Sequence, residues 1–226
     1  MSNSKHSEFR DGWTTLLIAL SGVVTSAHFL PLYSFGPMAP DLSRALNIPL
    51  GELQRCITFN FAGIAVGSQL AGWLIDRFSL RYATLCSLVL YAITYIMMGS
   101  VPLSQNLLYA FYFLLPIAGS GTLLVTWTTI VCAKFERQRG IALAILLSGS
   151  GLVSTVAPLL LASYVGTPDW QQGFLVMGIL PLATLMVSML PCFVPVFVQK
   201  GLSQSAPTLL SSAFGGALVA GRLCAG

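Results

Sequence analysis

Charged residues in this chain are confined to a few short stretches, and long uncharged runs lie between them. Six runs of 20 or more residues contain no Asp, Glu, Lys or Arg, and the longest covers residues 82–133. An α-helix needs about 20 mostly apolar residues to cross the hydrocarbon core of a bilayer. Only 8% of the residues are charged and the mean hydropathy is +0.81, whereas roughly a quarter are charged in a typical soluble domain. The sequence therefore predicts a helical membrane protein.

The same composition excludes several other functions. The net charge of +4 comes from residues scattered over short loops rather than from one basic patch, so no nucleic-acid partner is predicted. The five cysteines are odd in number and show neither disulfide nor metal-ligand spacing. The sequence contains no ATP-binding loop and no nucleophile–base pair. We therefore expect no enzymatic activity, no cofactor and no metal site, with the lipid bilayer as the main surrounding partner.

Six transmembrane helices are predicted and are called spans 1–6. The turn at residues 102–106 divides the longest uncharged run, because Pro, Ser and Asn favour turns. The predicted spans cover residues 13–35, 53–75, 82–101, 107–132, 140–165 and 173–191. Their continuous apolar character lacks the alternation of barrel strands, so the predicted fold class is all-α. Two sets of three helices with opposite orientation suit an inverted 3+3 repeat.

Lysine and arginine residues in the loops predict the orientation, because cytoplasmic loops are enriched in both. One side of the predicted layout carries eight of them and the other side carries two. The eight are Lys5, Arg10, Arg77, Arg81, Lys134, Arg137, Arg139 and Lys200, and the two are Arg44 and Arg55. We therefore expect residues 1–12 to form a cytoplasmic tail and residues 13–192 to form a multi-pass unit in the inner (plasma) membrane.

Polar side chains inside the predicted spans are the candidate binding groups, because a polar group in lipid costs free energy and is often functional. The candidates are Thr25 and His28 in span 1, Asn60 in span 2, and Thr126 and Trp127 in span 4. The alternative for the threonines is hydrogen bonding between helices. His28 is the one ionisable group deep within the spans, and it could carry a proton because histidine titrates near neutral pH.

The stretch from Gly72 to Arg81 reads G-W-L-I-D-R-F-S-L-R and connects spans 2 and 3. It resembles the signature loop of the major facilitator superfamily, with Ser79 where the family usually has glycine. The resemblance implies a conformational latch that holds two six-helix halves together when the cytoplasmic side is closed. Its residues would be Gly72, Asp76, Arg77 and Arg81. The alternative is ordinary loop charge on the cytoplasmic side, which explains the arginines but not the spacing of Gly72 and Asp76.

Further stretches resemble the monocarboxylate and oxalate:formate antiporter-like branch of the same family. They lie at residues 32–41, 134–140, 148–158 and 170–174. The resemblance implies transport of a small organic anion by alternating access, with spans 1 and 4 lining the central cavity and proton coupling left open. It also implies that Arg222 pairs with the substrate carboxylate, to which a guanidinium presents a planar fork of donors. The alternative for Arg222 is a helix-end charge that reaches the membrane interface.

The resemblance also predicts that the chain is a fragment, because family members have two six-helix halves. Residues 193–226 resemble the end of helix 7 and part of helix 8, a remnant of the C-terminal half. The chain would then be a partial transporter, and alone it is expected to show no saturable carboxylate uptake. The alternative is a truncated, non-transporting membrane protein, or a half-unit whose partner is the missing C-terminal half or another copy.

Overall fold

The computed structural model describes residues 5–78 and 80–189. This part of the chain is helical and has no strand, so the predicted all-α fold class is confirmed. The described elements are α1 (Lys5–Val24), α2 (Leu30–Leu46), α3 (Leu50–Leu53), α4 (Arg55–Phe78), α5 (Leu80–Ser100), α6 (Gln105–Ala118), a 3-10 turn (Ser120–Thr122), α7 (Leu124–Lys134), α8 (Arg139–Leu161) and α9 (Gln172–Ser188). Ser79 and the predicted remnant at residues 193–226, with Arg222, lie outside the described residues.

Four predicted spans correspond to single helices. Spans 2, 3, 5 and 6 correspond to α4, α5, α8 and α9, whose ends differ from the predicted ends by one to four residues. The charged and turn-forming residues that bound the uncharged runs also lie near the ends of these helices.

Spans 1 and 4 are not continuous helices, and this part of the prediction is wrong. Residues 25–29 separate α1 from α2, and residues 119–123 separate α6 from α7. In span 4 the break follows Pro116, which lacks the N–H that a helix interior needs, and it contains Gly119 and Gly121, which favour turns. In span 1 the helix restarts at Leu30, and Pro31 lies in its first turn, where proline fits well.

Two described helices, α5 and α8, are long and apolar enough to cross a membrane by length and composition alone. α4 has 24 residues, but polar side chains such as Asn60 interrupt its apolar character. α9, the last 13 residues of α1 and both segments of span 4 are apolar but shorter. Helix length therefore does not confirm six transmembrane helices. Large apolar side chains nonetheless face outward, since Leu90 and Met97 on α5 and Leu159 on α8 are 54%, 50% and 75% exposed.

The helix contacts follow the same plan in both sets of three spans. α4 packs on α6, so span 2 contacts span 4. In the same way α8 packs on α1 and α2, so span 5 contacts span 1. α5 packs on α9, so spans 3 and 6 pack on each other. Exchanging spans 1–3 for spans 4–6 leaves these contacts unchanged, as an inverted repeat requires.

Two glycines let α4 approach α6 closely. A Cβ atom added to Gly67 would lie 2.7 Å from the backbone oxygen of Pro116, and one added to Gly63 would overlap the backbone oxygen of Phe113. Small residues allow such close backbone contact between helices in membranes. This contact places the first half of span 4 against span 2.

A buried carboxylate joins the end of α2 to the connection between α8 and α9. Asp41 is 4% exposed, and its Oδ2 accepts a hydrogen bond from the backbone N–H of Gly166 at 2.8 Å. Its Oδ1 lies 3.1 Å from Nη2 of Arg44. Gly166 has a φ of 77°, a left-handed conformation that glycine adopts without strain. Asp41 therefore fixes α2 against residues 162–171.

Asp41→Ala is expected to lower the free energy of unfolding by about 1.5–3 kcal/mol, because a hydrogen bond to a charged group contributes that much. Arg44→Ala should cost less than about 1 kcal/mol, since its side chain is 69% exposed and surface ion pairs are weak. SDS-induced unfolding in mixed micelles, followed by tryptophan fluorescence, measures both. Equal losses for the two variants would show that the contact with Gly166 contributes little.

Candidate functional site

The breaks in spans 1 and 4 meet in the interior of the described unit. The backbone N–H of Ala27 donates a hydrogen bond to Oγ1 of Thr122 at 3.3 Å. A Cβ atom on Gly119 would lie 2.5 Å from the Cβ atom of Ala27. Ala27 and Thr122 are both fully buried. We call residues 25–29 and 119–123 together the paired breaks.

Side chains satisfy backbone groups that the break in span 4 leaves without helical partners. Oγ of Ser87 accepts a hydrogen bond from the N–H of Gly121 at 3.0 Å, and the indole N–H of Trp127 donates to the carbonyl of Thr122 at 3.1 Å. The carbonyl of Gly119 accepts hydrogen bonds from both the backbone N–H and the hydroxyl of Thr122, each at 2.8 Å, so Thr122 closes the turn in two ways. A break at membrane depth requires such partners because lipid offers none.

Trp127 and Thr126, both predicted to bind substrate, are buried within this unit. They are 0% and 1% exposed. The indole ring of Trp127 lies on Gly22 of α1, where an added Cβ atom would overlap the ring. Trp127 therefore packs α7 against α1 in addition to its hydrogen bond within the break.

Thr25 and Asn60 also bond to other parts of the chain. Oγ1 of Thr25 lies 2.9 Å from Oγ1 of Thr184, and this hydrogen bond joins the break in span 1 to α9. Nδ2 of Asn60 donates to the carbonyl of Tyr112 at 3.4 Å. Pro116 follows Tyr112 by four residues and has no N–H, so that carbonyl lacks its helical partner and Asn60 substitutes for it.

His28 has a different environment from the other predicted site residues. It is half-buried, and its ring packs edge-on against Phe29 at a centroid distance of 4.6 Å and against Phe61 at 6.3 Å. Its backbone N–H donates to Oγ of Ser26 at 3.2 Å, whereas its ring nitrogens make no hydrogen bond within residues 5–78 and 80–189. His28 is therefore the one predicted binding residue in the described part of the chain that is not fully buried.

The predicted latch residues lie around the connection between α4 and α5. Gly72 is buried, Asp76 and Arg77 in the last turn of α4 are exposed, and Arg81 in the first turn of α5 is half-buried. Among the described residues, no ion pair within 4.0 Å joins Asp76 to either arginine. The helix dipole disfavours an acid at a helix C-terminus and a base at an N-terminus. A partner outside this connection would therefore stabilise both Asp76 and Arg81.

Sequence reasoning missed the residues that hold the paired breaks in place. Ser87, Tyr112 and Thr184 contact the breaks or the predicted site residues from helices that are distant along the chain. A single sequence does not reveal such pairs. The break in span 4 did have a signal, since Pro116 precedes the Gly119-Ser-Gly121 turn by three residues.

A protein-family model matches most of the chain. It is the model described as Major Facilitator Superfamily, and it matches residues 21–226. The matched region includes the paired breaks and the predicted latch. A search of curated proteins found no match to the chain.

Proposed function

The chain belongs to the major facilitator superfamily, whose members are membrane-embedded transporters rather than enzymes, and we propose that it takes part in transporting a small organic anion. The proposed anion is monocarboxylate-like, which is the substrate class implied by the resemblance of its sequence to the monocarboxylate branch. Transport would proceed by alternating access across the inner (plasma) membrane, with six spans and a cytoplasmic N-terminus. The observation that carries the proposal is the contact between the two broken spans.

Broken helices support a transport function because secondary transporters typically place their binding sites at discontinuous helices. Here the breaks occupy spans 1 and 4, the first members of the two three-span sets, and they are joined by the hydrogen bond between Ala27 and Thr122. Neither span has a continuous backbone ladder at this level, so each can bend there. We propose that the two halves of each span tilt about the paired breaks during transport.

The anion would contact this chain at His28. A protonated imidazole carries positive charge and two N–H donors, which suit a carboxylate. Phe29 and Phe61 beside it offer apolar surface to the rest of a small organic acid. His28 could also carry the proton in proton-coupled transport. Arg222, outside the described residues, is proposed to pair with the carboxylate from the other side.

The burial of the other four predicted binding residues supports a role in holding the paired breaks rather than in contacting the anion. Thr25, Asn60, Thr126 and Trp127 are at most 4% exposed. Hydrogen bonds to Thr184, to Tyr112 and to Thr122 occupy polar groups of three of them. We propose that these residues hold the paired breaks in shape while His28 contacts the anion.

The latch is proposed to bind a second six-helix unit when the cytoplasmic side is closed. The carboxylate of Asp76 supports this, because it is exposed, has no ion-pair partner among the described residues, and could face the positive N-terminal end of a helix in that unit. The second unit would be a C-terminal half of the family pattern or another copy of this chain. A substrate lying between the two units would contact both.

Uptake into proteoliposomes tests the need for a second unit. The full chain is reconstituted as a demonstrated monomer and supplied with labelled L-lactate or oxalate. One half of a substrate path cannot open alternately to the two sides, so we expect no saturable uptake above that of protein-free vesicles. Robust saturable uptake by the monomer would contradict the proposal that this chain is a half-unit that needs a second unit.

A non-transporting membrane protein is the second candidate function, and the burial of four predicted binding residues favours it.

A further inference from the structure

The hydrogen bonds from α5 and α9 to the paired breaks follow one pattern. On α9, which is span 6, Oγ1 of Thr184 lies 2.9 Å from Oγ1 of Thr25 in the break of span 1. On α5, which is span 3, Oγ of Ser87 accepts a hydrogen bond from the N–H of Gly121 in the break of span 4 at 3.0 Å. The last span of each three-span set therefore bonds to the broken first span of the other set. Exchanging spans 1–3 for spans 4–6 converts one contact into the other, as in an inverted repeat.

Both contacts lie in the interior of the described unit. Thr25, Ser87 and Thr184 are 4%, 3% and 3% exposed. A Cβ atom added to Gly121 would lie 2.6 Å from the backbone oxygen of Ala83 on α5, so the break of span 4 touches the backbone of that helix. Among the described residues, the hydroxyl of Ser87 is the one acceptor for the N–H of Gly121. Each break therefore has a buried hydrogen bond to α5 or to α9.

α5 and α9 pack closely on each other at glycine residues. A Cβ atom added to Gly178 of α9 would lie 3.2 Å from the Cβ atom of Tyr95 on α5. One added to Gly99 of α5 would lie 2.7 Å from Cδ2 of Leu175 on α9. In contrast to spans 1 and 4, each of the two is one uninterrupted helix. We call α5 and α9 together the α5–α9 frame, because these two packed helices contact both breaks.

We propose that the α5–α9 frame stays fixed while spans 1 and 4 tilt, and that Ser87 and Thr184 hold the two pivots to it. This inference rests on the tilting proposed above and adds the residues that keep each pivot in place. A hydroxyl suits this role because it rotates about its C–O bond and can both donate and accept, so the contact persists while the backbone changes direction. Ser87 and Thr184 are then positioning residues, since they act on the anion only through the breaks. Thr184 acts on the break that contains His28.

Hydrogen–deuterium exchange of the full chain in nanodiscs, without any anion, tests the proposal. Thr184→Val replaces the hydroxyl by a methyl group, and we expect the amides of residues 25–29 to exchange about two- to tenfold faster, since loss of one hydrogen bond changes a local opening equilibrium by about that factor. Ser87→Ala should have the same effect on residues 119–123. Each variant should affect its own break more than the other, because one hydrogen bond at 3.3 Å joins the two breaks. Thr184→Ser keeps the hydroxyl and should exchange like the unaltered chain.

Thr84→Val is the matched control, because it also removes a buried hydroxyl from α5. Thr84 is 1% exposed, and its Oγ1 donates at 2.8 Å to the carbonyl of Leu80 in its own helix, so its loss should leave exchange at both breaks unchanged. Amides of α5 and α9 should keep their rates in Ser87→Ala and Thr184→Val. Unchanged exchange at both breaks, or equal acceleration by Thr84→Val, would overturn the proposal. Equal acceleration throughout α5 and α9 would also overturn it, since the hydroxyls would then contribute only general stability.

Exchange of the unaltered chain decides the question if a variant fails to fold. The amide of Gly121 should then be protected, and amides in the middle of α5 and α9 should exchange more slowly than those of α1 and α7, which tilt. Exchange of Gly121 at the rate of an unstructured peptide, or equal rates in all four helices, would overturn the proposal. Because no anion is present, failure here leaves the proposed function standing, and absence of lactate binding would contradict the proposed function alone.

Discussion

Trp127→Ala is expected to lower the free energy of unfolding by about 3–5 kcal/mol, the usual loss when a buried tryptophan side chain is removed. Trp127 is 0% exposed, its ring lies on Gly22, and its indole N–H bonds to the carbonyl of Thr122 at 3.1 Å. The variant therefore loses the packing of α7 on α1 and leaves one carbonyl of the break without its partner. SDS-induced unfolding followed by circular dichroism measures the loss.

Trp73→Ala is the matched control for Trp127→Ala. Trp73 of α4 is 57% exposed, so its removal should change the free energy of unfolding by less than about 0.5 kcal/mol. Trp127→Phe keeps an aromatic ring but removes the N–H donor, and we expect an intermediate loss of about 1–3 kcal/mol. If Trp127→Ala cost no more than Trp73→Ala, Trp127 would have no part in holding the break.

Gly63→Ala is expected to have the second large effect, with a loss of about 1–3 kcal/mol or more because the added methyl group overpacks the contact. Its Cβ atom would overlap the backbone oxygen of Phe113, which cannot move aside as a flexible side chain would. α6 would have to shift away from α4, and Pro116 and the break that follows it would shift too. Unfolding in mixed micelles and the folded fraction on size-exclusion chromatography measure the effect.

Gly151→Ala is the control for this overpacking. Gly151 lies in α8, and no heavy atom would come within 4 Å of its added Cβ atom. Because alanine is the better helix former, this variant should leave the stability unchanged or raise it by up to about 1 kcal/mol. Similar losses at Gly63 and Gly151 would contradict the close contact of α4 with α6.

The positions of four spans could be predicted from the sequence because charged and turn-forming residues mark where the helices end. The ends of α4, α5, α8 and α9 lie within one to four residues of the predicted ends. The breaks in spans 1 and 4 could not be predicted in this way, since hydropathy does not change where a helix unwinds for one turn. Pro116 with Gly119 and Gly121 was a local signal for one break. The other break contains no glycine or proline, and the contact of Ala27 with Thr122 stabilises it from span 4.

The sequence identified polar residues at the interior positions but not the partners to which they bond. Thr25 and Asn60 were expected to face a substrate, and in the structure they bond to Thr184 and Tyr112. Helical periodicity predicts which residues share a face, whereas the neighbour of that face depends on long-range packing. His28 was distinguished by its chemistry alone, and its ring nitrogens do lack hydrogen bonds within the described residues. The predicted orientation and the role of Arg222 stay predictions.

Binding of labelled L-lactate to the full chain in nanodiscs tests the central claim, that the anion contacts this chain at the break of span 1. We predict saturable binding that His28→Ala weakens by about tenfold or more, since a charge-assisted hydrogen bond contributes at least about 1.5 kcal/mol. His6→Ala, in the predicted cytoplasmic tail, is the control and should leave binding unchanged. Absence of saturable binding by the folded chain, or equal binding by His28→Ala and the unaltered chain, would contradict this account.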